Sequence, residues 1–208
     1  MRNTLILTHI PQSAGSRGLD EIRSFYAANP SLNVKERDPE QLLKAITAGK
    51  IYVVRDAAGA LHGVCGAFEY GNGRIREIGG VRVTLNGFGL QALLMSLAVT
   101  MEHQFDPPDE ALYAATAQDN APSIVSIGRA GFQEVSDLGA IRMAAMGINQ
   151  LDPAKRYFLL PQEGVSLAGD NVLTVLSSRR IERFQGRIDL DIQPPFTDLV
   201  GLLTRATG

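Results

Sequence analysis

The stretch EIGGVRVTLNGFGLQALLMSLAV, Glu77 to Val99, changes character midway, and that change constrains the fold more than any other feature of the chain. It opens as a strand, passes through Gly87-Phe88-Gly89 and continues as a long apolar helix. A strand that runs into glycines and then a helix leaves backbone N–H groups unpaired at the helix N-terminus. An anion, most often a phosphate, is stabilised there.

Several phosphate binders use this device, and the neighbouring residues separate them. A nucleoside-triphosphate loop needs a Lys-Ser or Lys-Thr pair after its second glycine, whereas Gly89 is followed by Leu90 and Gln91. The dinucleotide fingerprint G-x-G-x-x-G/A is met literally by Gly87 to Ala92. Its context is wrong, because these glycines follow an antiparallel hairpin and not an isolated parallel strand. The next candidate acid, Asp119, also lies well beyond the usual spacing of about 20 residues. A dinucleotide-dependent oxidoreductase would rest on that one match.

The order of elements supplies the context. LILTHI reads as a strand, QSAGSRG as a loop and LDEIRSFYAAN as a helix with Ile22, Phe25 and Tyr26 on one face. Asp38 and Pro39 open a second helix that Gly49 closes. IYVVRD is a strand, and HGVCGAFEY alternates Val64, Gly66, Phe68 and Tyr70 against Gly63, Cys65, Ala67 and Glu69. Gly71, Asn72 and Gly73 then turn the chain into RIREIGGVRV. In the long helix Leu90, Leu93, Leu94, Leu97, Ala98 and Met101 form one broad apolar face. ALYAATA is a buried strand, and DNAPSIVSIGRAGF a short helix with Pro122 in its first turn and Gly131 past its end. A central antiparallel hairpin followed by crossovers through helices predicts an α/β (α+β) fold, with a mixed, mostly antiparallel sheet and helices on both faces.

Bulk properties exclude several classes. With 208 residues and 45% hydrophobic content, the chain can bury one sizeable core. A net charge of −2 gives no basic footprint for nucleic acid or for an anionic membrane surface. Cys65 is the only cysteine, and His9, His62 and His103 are too scattered for a metal site. The N-terminal apolar run is too short for a signal peptide, and no window approaches a membrane span. The expectation is a cytoplasmic protein without metal, membrane or nucleic acid partners.

Two motifs sharpen this picture. EIGGVRV leading into TLNGFGL and the helix from Leu90 resembles the bulged fourth strand, glycine-rich loop and helix of the GNAT-type N-acetyltransferases. DNAPSIVSIGRAGF resembles that family's last motif, in which an Asn precedes a Gly-Phe pair by eleven positions, here Asn120 and Gly131-Phe132. The resemblance covers residues 1–150 as a GNAT-like domain. It leaves residues 151–208 as a C-terminal extension that could complete the sheet, cover the site or make a homodimer contact. Within it AKRYFLLPQ and NVLTVLSS read as strands, RRIERFQGRIDLDI as mixed and FTDLVGLLTRA as a short amphipathic helix. The resemblance implies acetyl-CoA as co-substrate, a small-molecule or protein amine as acceptor, and direct attack of the amine on the thioester.

It also implies roles for particular residues. Asn86, Gly87, Phe88, Gly89, Leu90 and Gln91 would cradle the pyrophosphate, although the glycines are also what a plain strand–helix turn needs. Val81, Arg82 and Val83 would offer backbone groups to pantetheine and polarise the thioester carbonyl. Asn120 would contact the cofactor, cap its helix, or both. Glu77 would be the base: a regular strand puts it in phase with Ile75, Val81 and Val83, towards an apolar surrounding that would raise its pKa; alternatively it is a hairpin acid paired with Arg74 or Arg76. The Gly79-Gly80 pair is the expected bulge, and one extra residue there would switch the phase of the strand. Three positions depart from the family pattern. Thr84 stands where the loop carries Gln or Arg, Asn86 where a basic residue often precedes the first glycine, and Ile127 where a Tyr usually protonates the departing thiolate.

Overall fold

A computed structural model describes residues 4–30, 37–183 and 186–206. Strand β1 (Thr4–His9) leads through a short 3₁₀ turn to α1 (Gly15–Ala28) and α2 (Pro39–Thr47). Then come β2 (Ile51–Asp56), β3 (Leu61–Tyr70), β4 (Ile75–Val83), α3 (Leu90–Phe105), β5 (Ala111–Ala117), α4 (Ala121–Arg129) and β6 (Gln133–Val135). The last third holds α5 (Ala140–Ala145), β7 (Lys155–Leu159), α6 (Gln162–Ser178), β8 (Arg180–Arg183), β9 (Gly186–Ile192) and α7 (Phe196–Ala206).

The described strands form one sheet in the order β6-β7-β5-β4-β3-β2-β1-β9-β8. Neighbours are parallel only at β4–β5 and β1–β9. Helices cover both faces. On one side α1 and α2 bury Ile22, Leu42 and Ile46 against Val53, Val64 and Phe68. On the other, α3, α4, α6 and α7 bury a larger core that includes Leu7, Leu94, Leu97, Phe132, Val172 and Phe196. The mixed sheet between two helical layers is the architecture read from the order of elements.

Local differences have physical causes. Helix α1 starts at Gly15, inside the segment expected to be a loop. The segment NVLTVLSS, strand-like in composition, lies within α6, because Gly164, Ala168, Val172 and Leu176 recur every fourth residue and are all buried on one face. Helix α3 is buried nearly all round, Met95, Ser96, Val99 and Thr100 included, since the sheet covers one side and α6 packs on another. Residues beyond 150 are woven into both ends of the sheet: β7 sits between β5 and β6, and β9 pairs with β1. Among the described residues no helix is long and apolar enough to cross a membrane, and no His, Cys, Asp and Glu cluster could hold a metal ion.

Candidate active site

The site begins with a defect in the β3–β4 ladder. Gly66 pairs with Gly79 and Val64 with Arg82, so Gly80 and Val81 together oppose Cys65 alone. This is a β-bulge, and Gly80 takes the left-handed conformation it requires, at φ 60°. Tyr26 of α1 donates a hydrogen bond to the Gly80 carbonyl and holds the bulge from one side. The extra residue reverses the phase of the strand, as the sequence reading anticipated. Glu77 faces Arg37, whereas Val81 and Val83 pack into the α3-side core. Glu77 is therefore not in phase with Val81 and Val83, as a regular strand would have it.

Beyond the bulge the sheet opens. Parallel pairing of β4 with β5 is confined to Ile75–Glu77 against Ala111–Tyr113, after which the two strands part. The wedge holds a cavity of about 500 Å³. Gly79, Gly80 and Val81 line one side, Ala115, Thr116 and Ala117 the other, and Ser123 and Ile127 reach it from α4. The backbone edge of β4 thus faces a space large enough for an extended ligand.

The glycine turn lies at the far end of β4. Gly87 and Gly89 have φ of 81° and 76°, and Gly89 caps α3 without a side-chain hydrogen bond. Asn86 and Gly87 are exposed, Phe88 packs against the core, and the Leu90 side chain is buried. The loop therefore presents mainly backbone N–H groups of the first helical turn, which have no intrahelical acceptor. Gln91 Nε2 donates to Ser123 Oγ at 3.0 Å, tying the N-termini of α3 and α4 together. Asn120 Oδ1 accepts from the Ser123 amide at 3.3 Å, so this side chain caps α4, and it is not part of the cavity wall. Arg82 turns its side chain to the opposite face, towards Tyr26, and its buried Nε has no hydrogen-bond partner among the described residues.

No protein-family profile matches the sequence, and no curated protein is detectably similar to it. Solved structures are. A spermidine N-acetyltransferase SpeG chimera from Vibrio cholerae and hSSAT aligns with a TM-score of 0.50 at 16% identity, over 78% of this chain and 98% of that one. A GNAT-family acetyltransferase from Staphylococcus aureus Mu50 aligns with a TM-score of 0.51 at 14% identity, over 76% and 99%. The fold is of the GNAT type. At these identities the likeness extends to the fold alone.

Within this GNAT fold, Glu77 sits on the cavity wall at the apex of the wedge, in surroundings unlike those expected. It pairs neither with Arg74, which meets Glu110, nor with Arg76, which turns to the other face. Instead Arg37 grips both carboxylate oxygens, and the Tyr70 and Tyr113 hydroxyls donate to Oε2 at 3.1 and 3.0 Å. Burial alone would push the Glu77 pKa up, but the Arg37 charge and these hydrogen bonds together hold it below the ordinary carboxylate value. That corrects the expectation of a raised pKa. The same burial, together with the charge on Glu77, pushes the Tyr70 and Tyr113 phenols up, so both stay protonated as donors.

Arg37, Tyr70, Tyr113 and Tyr157 were not read from the sequence as site residues. Phase could have found Tyr70, which alternates with Phe68 on the same strand. Arg37 stands in a charged run, KERDPE, that carries no spacing signal.

A prediction follows from the sign of the Glu77 shift. A carboxylate whose folded pKa is depressed stabilises the fold above its unfolded pKa, and that contribution is lost as pH falls through the folded value. Glu77→Gln leaves the Arg37 guanidinium without its carboxylate and should cost about 3 kcal/mol at neutral pH. In urea titrations the wild type should lose stability on acidification below the ordinary carboxylate range, and E77Q should lose visibly less. An equal acid sensitivity in both proteins would place the depressed carboxylate elsewhere.

Proposed function

We propose that this chain is an N-acyltransferase that moves an acetyl group from acetyl-CoA to a primary amine, on a small molecule or a protein, by direct attack. The observation that carries this is the wedge. An unpaired strand edge runs from the cavity towards a helix N-terminus that has glycines before it and no side-chain cap.

The backbone N–H groups of Gly87, Phe88, Gly89, Leu90 and Gln91, with Asn86 at the rim, would hold the pyrophosphate. The loop lacks a basic residue, so backbone amides and the helix dipole would do this alone, the dipole giving about 0.3–1 kcal/mol for each nearby charge. Pantetheine would lie along Val81, Arg82 and Val83, pairing with backbone groups that β5 has left free. An amide at the bulge would polarise the thioester carbonyl. Asn120 would act through Ser123 and Gln91, keeping the two helix N-termini in place beside the cofactor. Glu77 already receives hydrogen bonds from three side chains, which makes it a poor base. It would instead orient Arg37 and the two tyrosines, and the amine would lose its proton to water.

The test is a thermal-shift comparison of acetyl-CoA, CoA and NAD(P), followed by an assay of thiol release with primary amines. A ligand at about 100 times its dissociation constant stabilises by roughly 2.7 kcal/mol. For a chain of this size that is a rise of about 5–10 °C. A shift with acetyl-CoA and thiol release with an amine is the expected result. No shift with acetyl-CoA would sink the proposal, and a shift with NAD(P) alone would revive the dinucleotide reading.

One observation favours a second reading, a non-catalytic binding module on the same fold: Ile127 puts hydrocarbon in the cavity wall where a proton donor would be useful. Acetyl-CoA binding without turnover of any amine would support it.

A further inference from the structure

Acyl transfer from a thioester to an amine forms a C–N bond and breaks a C–S bond. The sulfur leaves with the electron pair and needs a proton, while the nitrogen gives its own proton to water. A nearby side chain that holds a proton at neutral pH, and has no other use for it, accelerates the collapse. Few residues of the cavity wall qualify. Ile127 has no proton to give. Tyr70 and Tyr113 donate theirs to Glu77. The Ser123 hydroxyl is tied to Gln91 and is intrinsically a far weaker acid than a phenol.

Tyr157 differs. It lies on β7 directly opposite Ala115 of β5, so its ring shares the face of Ala115 and Tyr113 that borders the cavity. The small Ala115 leaves room above it. The Asp152 backbone N–H donates to the Tyr157 hydroxyl oxygen at 3.0 Å. That bond orients the phenol and leaves its own O–H without an acceptor among the described residues.

We infer that Tyr157 is the general acid of the site, giving its hydroxyl proton to the departing thiolate, an assignment that rests on the acyl-transfer reading above. The proton leaves Tyr157 as the C–S bond breaks, the phenolate keeps the Asp152 N–H bond, and water returns the proton before the next turnover. The phenol is suited to this. Burial is the main cause that moves its pKa up, and the Asp152 and Glu77 carboxylates act in the same direction against the Asp152 N–H, so it is protonated at neutral pH. Lys155, the other charged group beside it on the cavity wall, is exposed at the mouth.

The test uses full-length protein, saturating acetyl-CoA and simple primary alkylamines, with free thiol as the readout. Tyr157→Phe should lower kcat about 100-fold. It should leave the acetyl-CoA thermal shift unchanged and abolish the alkaline limb of the kcat profile that the phenol imposes. Wild-type kcat in Tyr157→Phe, or a lost acetyl-CoA shift, would overturn the assignment and leave the acyl-transfer reading standing. No thiol release by the wild type with any amine would overturn that reading, and the assignment with it.

Discussion

Glu102→Ala should be among the most destabilising single substitutions in the chain, at about 3–5 kcal/mol. Glu102 lies near the C-terminal end of α3, 2% exposed, and its two oxygens receive three donors. Lys50 Nζ reaches Oε2 at 3.0 Å, Arg76 Nη1 reaches the same atom at 2.7 Å, and the Tyr52 hydroxyl reaches Oε1 at 3.1 Å. Removing the carboxylate takes the one fully buried acid from Lys50 and Arg76, leaving them Glu69 and Asp106, and leaves the buried Tyr52 phenol without its acceptor. Asp106, which also meets Lys50 and Arg76 at 2.8 Å, has a side chain 59% exposed, so its loss should cost about 1 kcal/mol or less. Thermal denaturation separates the two: a fall of roughly 6–20 °C is expected for Glu102→Ala and only a few degrees for Asp106→Ala. Equal shifts would mean that Glu69 and Asp106 replace the missing charge and that the cluster has no single centre.

This cluster also explains how the strand β4 serves the site. Arg76 and Glu77 are consecutive, so they point to opposite faces. Arg76 fastens the C-terminal end of α3 to the sheet, while Glu77 fastens Arg37 and two tyrosines at the apex of the wedge. With its far end fixed, α3 keeps its N-terminal turn aimed along the opening between β4 and β5.

The parts of this arrangement that depend on local chain chemistry were legible in the sequence. Gly79-Gly80 marked the bulge, Gly87 and Gly89 the turn, and Asp38 with Pro39 the start of α2, because left-handed backbone and helix caps each demand particular residues nearby. What depends on distant partners was not legible. Glu77 reads as a raised-pKa base because nothing in its neighbourhood along the chain announces Arg37, 40 positions earlier. The single broad apolar face expected of α3 falls short, because Met95, Ser96, Val99 and Thr100 are buried as well and leave it no clearly polar stripe. The covering element, α6, reads partly as a strand, because Val172, Leu173 and Val175 suit either period in a short window. Tyr157 could be placed on a strand, but only the pairing of β7 with β5 brings it to the cavity.

Gly131→Ala should be about as damaging as Glu102→Ala, and for a reason that joins the two parts of the sequence. Gly131 follows α4 with φ 96°, a conformation that a side chain strains by about 1–3 kcal/mol. A Cβ there would also fall on the Gly164 carbonyl in the first turn of α6, and a Cβ on Gly164 would fall on the Gly131 carbonyl. The two backbones touch because neither residue has a side chain, and overpacking such a contact costs about a further 1–3 kcal/mol. Gly164 has no positive φ to defend, so Gly164→Ala should lose only the steric part, and its melting temperature should fall by less. The glycine of the Gly131-Phe132 pair thus serves the docking of α6, and through α6 the covering of α3, as well as the end of its own helix. If α6 were a loosely attached extension, either substitution would let it swing away at little cost, and both proteins would melt within a degree or two of the wild type. A graded loss, Gly131→Ala greater than Gly164→Ala, would show that the chain beyond residue 150 belongs to the same cooperative unit as the wedge.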